Sequence, residues 1–232
     1  MSRAGAPTRI SPATRQGVAV GLATGAYGIG CGALGVAAGL SVPQTMVTSL
    51  LLFSGGSQFA FFGVVGAGGS MGSAVAASTL LGVRNAFYSV RMAQILRPVG
   101  VPRLLAAHLT IDESTAVAVG QGTPEQQRRG FWVTGVTVFL LWNVMTAVGA
   151  ILGDAMGDPR TYGLDAAAGA AFLALLWPRL RGRDPLATAV VAVVLTVAVA
   201  PFAPAGIPVL VAGLAALVVG LPAWRAPSGR SS

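Results

Sequence analysis

Ser54-Gly55-Gly56-Ser57-Gln58 interrupts an otherwise apolar run with groups able to hold a small polar solute. A glycine in a helix interior costs about 1 kcal/mol relative to alanine, so an adjacent pair favours unwinding. Unwound backbone frees N–H and C=O groups, and Ser54, Ser57 and Gln58 add side-chain donors and acceptors. The chemistry this suits is non-covalent recognition of a zwitterion. The plainer alternative is a kinked helix whose serines bond back to their own carbonyls.

Arg84 lies near the middle of the next apolar stretch, Ser70 to Leu96, where a charge is costly and normally faces a cavity or a partner. Asn85 adjoins it, and Tyr88 and Arg91 share its helical face at i+4 and i+7. A guanidinium fork there could hold a substrate carboxylate in two parallel hydrogen bonds. It could equally pair with Asp112 for structural reasons, or sit at the interface if the span ends near Leu81.

Asp112-Glu113-Ser114 falls in a short apolar segment, Leu104 to Gly120. Asp112 or Glu113 could bind a substrate ammonium or carry a coupling proton. His108, four residues before Asp112, could face it and share that proton. Against this stands a helix N-terminus, with Asp112 or Ser114 as cap and the acids near its positive end. Asp154, Asp158 and Asp165 flank a segment that matches no calcium-loop spacing and reads as a solvated external loop.

Other chemistry has little to work with. Cys31 and His108 are the sole cysteine and histidine, which leaves no disulfide within the chain, no metal centre of the Cys/His kind and no histidine-based triad. No phosphate-binding loop, nucleophile elbow, zinc-protease motif or dinucleotide fingerprint occurs. The expectation is a non-enzyme with no cofactor and no metal.

These groups are positioned by an apolar chain. Of 232 residues, 54% are hydrophobic and 9% charged, against about 25% charged in an ordinary soluble domain. Mean hydropathy is +0.73, which suits a bilayer as solvent. All 15 basic residues are arginine, and the net charge of +8 is spread between apolar runs rather than gathered on one face, which argues against nucleic acid as partner. Spans are expected at Gly17–Leu40, Ser70–Leu96, Phe131–Leu152, Leu164–Trp177, Pro185–Ala200 and Ile207–Leu221. Two interrupted segments, Gln44–Gly68 and Leu104–Gly120, lie among them. Residues 1–16 and 223–232 read as polar cytoplasmic tails around a transmembrane domain at 17–222. The first apolar run exceeds a signal-peptide core and reads as a retained span.

Glycines at 17, 21, 25, 28, 32, 35 and 39 line one face of the first span. They suit either close helix packing or a sliding surface. Trp132, Trp142, Trp177 and Trp224 mostly fall near span ends, as in an interfacial belt.

Arginine clusters at 3–15, 97–103, 128–129, 179–183 and 225–230 all fall on the cytoplasmic side in one arrangement. It has six full spans, and residues 44–68 and 104–120 dip in from opposite faces and return. Seven or eight ordinary spans, with some arginines outside, is the alternative. The fold class is therefore all-α, a polytopic membrane helical bundle with about six full spans plus two broken or re-entrant segments.

Three segments carry a family resemblance. Leu51-Leu52-Phe53-Ser54-Gly55-Gly56-Ser57-Gln58-Phe59 resembles the FAGxxQF segment of the AzlC family, the large subunits of branched-chain amino acid exporters. Gly82-Val83-Arg84-Asn85-Ala86-Phe87-Tyr88-Ser89 resembles its NLRHxLY segment, and Leu109-Thr110-Ile111-Asp112-Glu113-Ser114 its LTDE segment. Order and separation fit over about residues 15–220. The family's Asn before the Leu-Arg pair is Gly82 here, its His after the Arg is Asn85, and Ile111 is inserted before Asp112-Glu113.

The resemblance implies a secondary transporter that exports leucine, isoleucine, valine or other hydrophobic amino acids. It also implies a small membrane subunit of the AzlD type as partner and a multi-pass place in a bacterial cytoplasmic membrane. The substrate-binding set is then Ser54, Gly55, Gly56, Ser57, Gln58, Arg84, Asn85, Tyr88, Asp112, Glu113 and Ser114, with Asp112, Glu113 and His108 as candidates for proton coupling. A small-solute channel built from two opposed half-spans is the competing reading.

Overall fold

The computed structural model describes residues 10–157, 173, 176–204, 206–216 and 218–219, all helical or connecting. Helices α1 (Pro12–Ala26) and α2 (Gly28–Ala37) run on almost without interruption. After them come α3 (Val42–Leu51), α4 (Gly56–Gly66), α5 (Met71–Leu96), α6 (Val101–His108), α7 (Asp112–Val119) and α8 (Pro124–Ala155). A 3-10 turn at Trp177–Arg179 precedes α9 (Arg183–Val199) and α10 (Ile207–Ala212). The span expected at 164–177 lies mostly outside the described residues, as do Asp158, Asp165, Trp224, residues 1–9, the end of the span expected at 207–221 and the tail from 220.

Two helices among the described residues are long and apolar enough to cross a membrane: Pro12–Ala37 and Pro124–Ala155. At 1.5 Å per residue they measure about 39 and 48 Å, longer than the ~30 Å of hydrocarbon in a bilayer. Helix α5 has the length, at 26 residues, but carries Arg84 and Arg91. None of the residues of α9 is buried, although Val190, Val193, Val194 and Val197 are all apolar, which suits lipid as its surroundings.

The two long helices form the spine, and the glycine stripe joins them. A Cβ on Gly17 would fall against Val133 and Thr134, and one on Gly21 against Thr137. Gly25 faces Leu141, Gly28 faces Trp142, and Gly32 faces Thr146 and Ala150. Gly149 of α8 answers against the backbone of Ile29. Residue numbers rise together along this seam, so the helices run parallel. The stripe is a tightly packed joint, as the simpler reading of the spacing had it. Gly35 packs on Thr45 of α3 instead, and Gly39 turns the chain with φ +92°.

Both interrupted segments turn back on themselves. Ser41 caps α3 reciprocally with Gln44, and the helix ends where Leu52 leaves helical geometry at φ −96°, ψ 53°. Gly55 then takes φ +51°, ψ −91°, a conformation that only glycine adopts without strain. Thr45 of α3 lies level with Gly35, and the Ser49 carbonyl meets Gln58. On α4, Gln58 lies level with Cys31 and Gly66 with Ala38. So α3 runs antiparallel to α2, and α4 runs back parallel to it. The tip, Leu52–Gly55, sits beside Trp142, near the middle of α8.

The second hairpin approaches from the other end. Gly100, at φ +63°, opens α6, and α6 ends at His108. Ser114 faces Gly135 and Val117 faces Gly130, so α7 runs antiparallel to α8. The break at Leu109–Ile111 satisfies its own polar groups. Thr110 Oγ1 donates to the Ala106 carbonyl (2.6 Å), and Ser114 Oγ donates to the Leu109 carbonyl (2.7 Å) while accepting from the Ile111 amide (3.1 Å). Helix α5 connects the two hairpins, and its last turn is held where Arg128 Nε donates to the Ile95 carbonyl (3.2 Å).

Residues 69 and 122 therefore lie at opposite ends of the spine. Gly69 follows α4 at the end that holds Ala38, and Gln121 bonds Gln16 beside α1 (2.8 Å). Reporters inserted near these positions are expected to be periplasmic at 69 and cytoplasmic at 122. A cytoplasmic reporter at 69 would refute the opposed-hairpin topology.

Candidate functional site

The two tips meet at mid-depth, where Phe53 lies against His108 with ring centroids 5.8 Å apart. On one side of the meeting point is a cavity of about 410 Å³. Ser54, Gly55, Gly56, Arg84, Asp112 and Glu113 line it, so six of the residues read from the sequence converge there. Thr24 and Tyr27 complete the polar end, while Phe59, Leu81, Ile111, Val138, Trp142 and Leu176 make apolar wall.

The returning arms α4 and α7 both begin at this cavity. The amides of Ser57 and Gln58 are met by the Ser54 and Gly55 carbonyls, and the dipoles of both helices place positive potential at the cavity. Gly56 is needed for space as well: a Cβ there would come within 3.3 Å of Arg84 Nη2.

Arg84 reaches across to α7, with Nη1 2.9 Å from Asp112 Oδ2. Of the alternatives for Arg84, the pairing with Asp112 is the one the structure adopts. Arg179, from the 3-10 turn, donates to the same oxygen at 3.2 Å. One carboxylate is thus bridged by two guanidiniums, yet Asp112 Oδ1 and Arg84 Nε are buried without a hydrogen-bond partner among the described residues.

Several expected residues lie elsewhere. Gln58 lines neither this cavity nor the one on the far side of the tips; its amide is fully engaged as a brace. It accepts from Trp142 Nε1 (2.8 Å) and Cys31 Sγ (3.4 Å) and donates to the Ser49 carbonyl (3.0 Å). Ser114 is buried in the α6–α7 break, and Tyr88 lines neither cavity. Arg91 bonds Gln94 on its own helix (3.2 Å). His108 does not face Asp112, because the helix expected to place them one turn apart breaks at Leu109–Ile111. Its ring packs between Phe53 and Phe139, at 5.8 and 5.5 Å. Asp112 opens α7, so the helix-terminus reading of that segment also holds.

Two residues carry roles that their sequence context hid. Arg179 sits in a basic cluster that reads as a topology signal, but its side chain reaches the site. Trp142 is buried in the middle of α8 rather than in an interfacial belt, and holds the first hairpin through Gln58.

Ser54, Ser57, Asn85 and His108 gather on the other side of the tips, around a second cavity of about 410 Å³. Asn85 Nδ2 donates to Ser54 Oγ (3.0 Å), and Ser54 and Ser57 share a hydrogen bond (3.0 Å).

Among the described residues the architecture is all-helical, with two apolar helices of spanning length and a charged cavity where two broken helices meet. The family described as AzlC protein matches residues 19–156, more than half of the chain. An uncharacterized membrane protein of Archaeoglobus fulgidus is 34% identical over 154 residues, covering 66% of this chain and 67% of the relative. No solved structure matches the chain. The chain belongs to the AzlC family. The match includes both hairpins, α5 and α8, and stops short of Arg179.

Proposed function

We propose that the chain is the large subunit of a secondary transporter that exports branched-chain or other hydrophobic amino acids across a bacterial cytoplasmic membrane, in which it is multi-pass. The carrying observation is the cavity between the tips, where two half-helix N-termini and the Arg84–Asp112 pair face an apolar wall. Discontinuous helices that aim their N-termini at the midplane are a recurrent way to hold an anionic substrate group.

In this reading the substrate carboxylate competes with Asp112 for Arg84 and Arg179. Released from the guanidiniums, Asp112, with Glu113 beside it, receives the substrate ammonium. The side chain lies against Phe59, Leu81 and Trp142. Such a wall distinguishes one methylene by only about 1–3 kcal/mol, so several aliphatic amino acids should be carried. The partner is a small AzlD-type subunit. The surface it would cover is the face of α3, α5 and α6, where Leu51, Phe87 and Leu104 are exposed near the second cavity. Polar backbone at membrane depth needs such cover.

Leucine counterflow in liposomes, with and without the small subunit, tests the proposal. Saturable counterflow that needs both subunits is expected. Linear, voltage-dependent flux without counterflow would favour the channel reading, and no flux with confirmed insertion would remove leucine as substrate.

A further inference from the structure

The two cavities are sorted by charge. The first takes the N-terminal ends of α4 and α7 and both arginines. The second is lined by Leu51 and Leu52 at the end of α3 and by Ala107 and His108 at the end of α6. The dipoles of both helices place negative potential there, although the Thr48, Ser49, Leu105, Ala106 and Ala107 carbonyls already accept hydrogen bonds. No arginine, aspartate or glutamate lines this second cavity.

Its side-chain donors are hard oxygens: the hydroxyls of Ser54, Ser57, Ser78, Thr79 and Thr110, and the amide of Asn85. Ser57 is fully buried and Ser54 nearly so. Asn85 spends its Nδ2 on Ser54, which leaves Oδ1 buried and without a partner among the described residues. A buried acceptor with no donor is costly, and a cation would satisfy it.

We propose that the second cavity is a monovalent cation site. Hydroxyl and amide oxygens suit hard cations, and the absence of a lining carboxylate disfavours calcium and magnesium, which take carboxylate ligands. Phe53 and Ser54 line both cavities, so an ion on one side and a solute on the other bear on the same hairpin tip. Two ligands that bias one element are linked, and each tightens the other by the same factor. This coupling role rests on the transport reading above; the binding of the ion does not.

The test is therefore made without substrate and without flux. The purified chain, alone and with the small subunit co-expressed, is melted in sodium, potassium and choline chloride at equal ionic strength. Sodium is expected to raise the melting temperature by about 3 °C or more over choline. Asn85→Ala should abolish that difference. Asn85→Asp should enlarge it and lower the half-saturating sodium concentration about tenfold, because a carboxylate replaces a neutral acceptor. The two variants move in opposite directions, so misfolding of the alanine variant alone leaves the prediction standing on the other. Equal melting in the three salts, or a sodium shift unchanged in both variants, would overturn the site. A sodium shift with no leucine counterflow would keep the site and remove leucine as substrate.

Discussion

Arg84→Gln is expected to lower leucine counterflow about 10–100-fold while the protein still inserts and co-purifies with the proposed small subunit. A hydrogen bond to a charged group contributes about 1.5–3 kcal/mol, and each 1.4 kcal/mol is a factor of ten. Arg84 supplies Nη1 to Asp112 and lines the cavity, so its loss removes both the internal counter-ion and a guanidinium at the site. Arg84→Lys should restore little, since a point charge cannot replace a planar fork. Asp112→Asn is informative in the other sense. It removes the negative charge that Arg84 and Arg179 share, so carboxylate binding should strengthen while turnover falls. Counterflow at several leucine concentrations separates the two effects. Wild-type flux in Arg84→Gln would take the residue out of the mechanism.

Gly32→Ala is expected to have the largest effect on stability. The added Cβ would land on the Thr146 carbonyl and the Ala150 amide, which are backbone atoms and cannot swing aside. Overpacking a well-filled interior costs about 1–3 kcal/mol when side chains can adjust. Here the two spine helices must separate, so the loss should lie at or above that range. Gly149→Ala should behave alike, against Ile29. Gly30→Ala is the control, two residues along the same helix with nothing within 4 Å of the new methyl group. It should be neutral or stabilising by about 1 kcal/mol, as alanine favours the helix. Size-exclusion profiles and melting in detergent read all three. A Gly32→Ala protein as stable as wild type would mean that the glycine seam is not the joint of the fold.

Much of the site was legible in the chain because its makers are local. Glycine pairs, capping serines and acids at a helix start act over a few residues, so the breaks near 55 and 110 could be placed, though the first break begins two residues earlier than the polar cluster suggests. Arg84, Asp112 and Glu113 stood out because charge is rare in apolar sequence. Gln58, Tyr88 and Ser114 stood out for the same reason and do other work or none at the cavity. A polar side chain inside an apolar segment has to be satisfied, and a neighbouring helix can do that as well as a solute. Arg179 and Trp142 were hidden by their context: one lay in a basic cluster, the other in a long apolar run.

The sequence by itself determined the solvent, the class and the break points. Too few charges for a water-exposed surface, apolar runs of spanning length and helix-breaking pairs are properties of composition and short range. Only the tertiary structure decided the rest. A broken helix can kink and continue or reverse, and the parallel return of α4 along α2 is a matter of contacts between residues far apart in the chain. The same holds for the union of Arg84, Asp112 and Arg179 on one oxygen, and for the division of the hairpin ends into a cavity of helix N-termini and a cavity of helix C-termini. Periodicity tells which face of a helix is presented, but which face it meets is set by packing across the whole bundle.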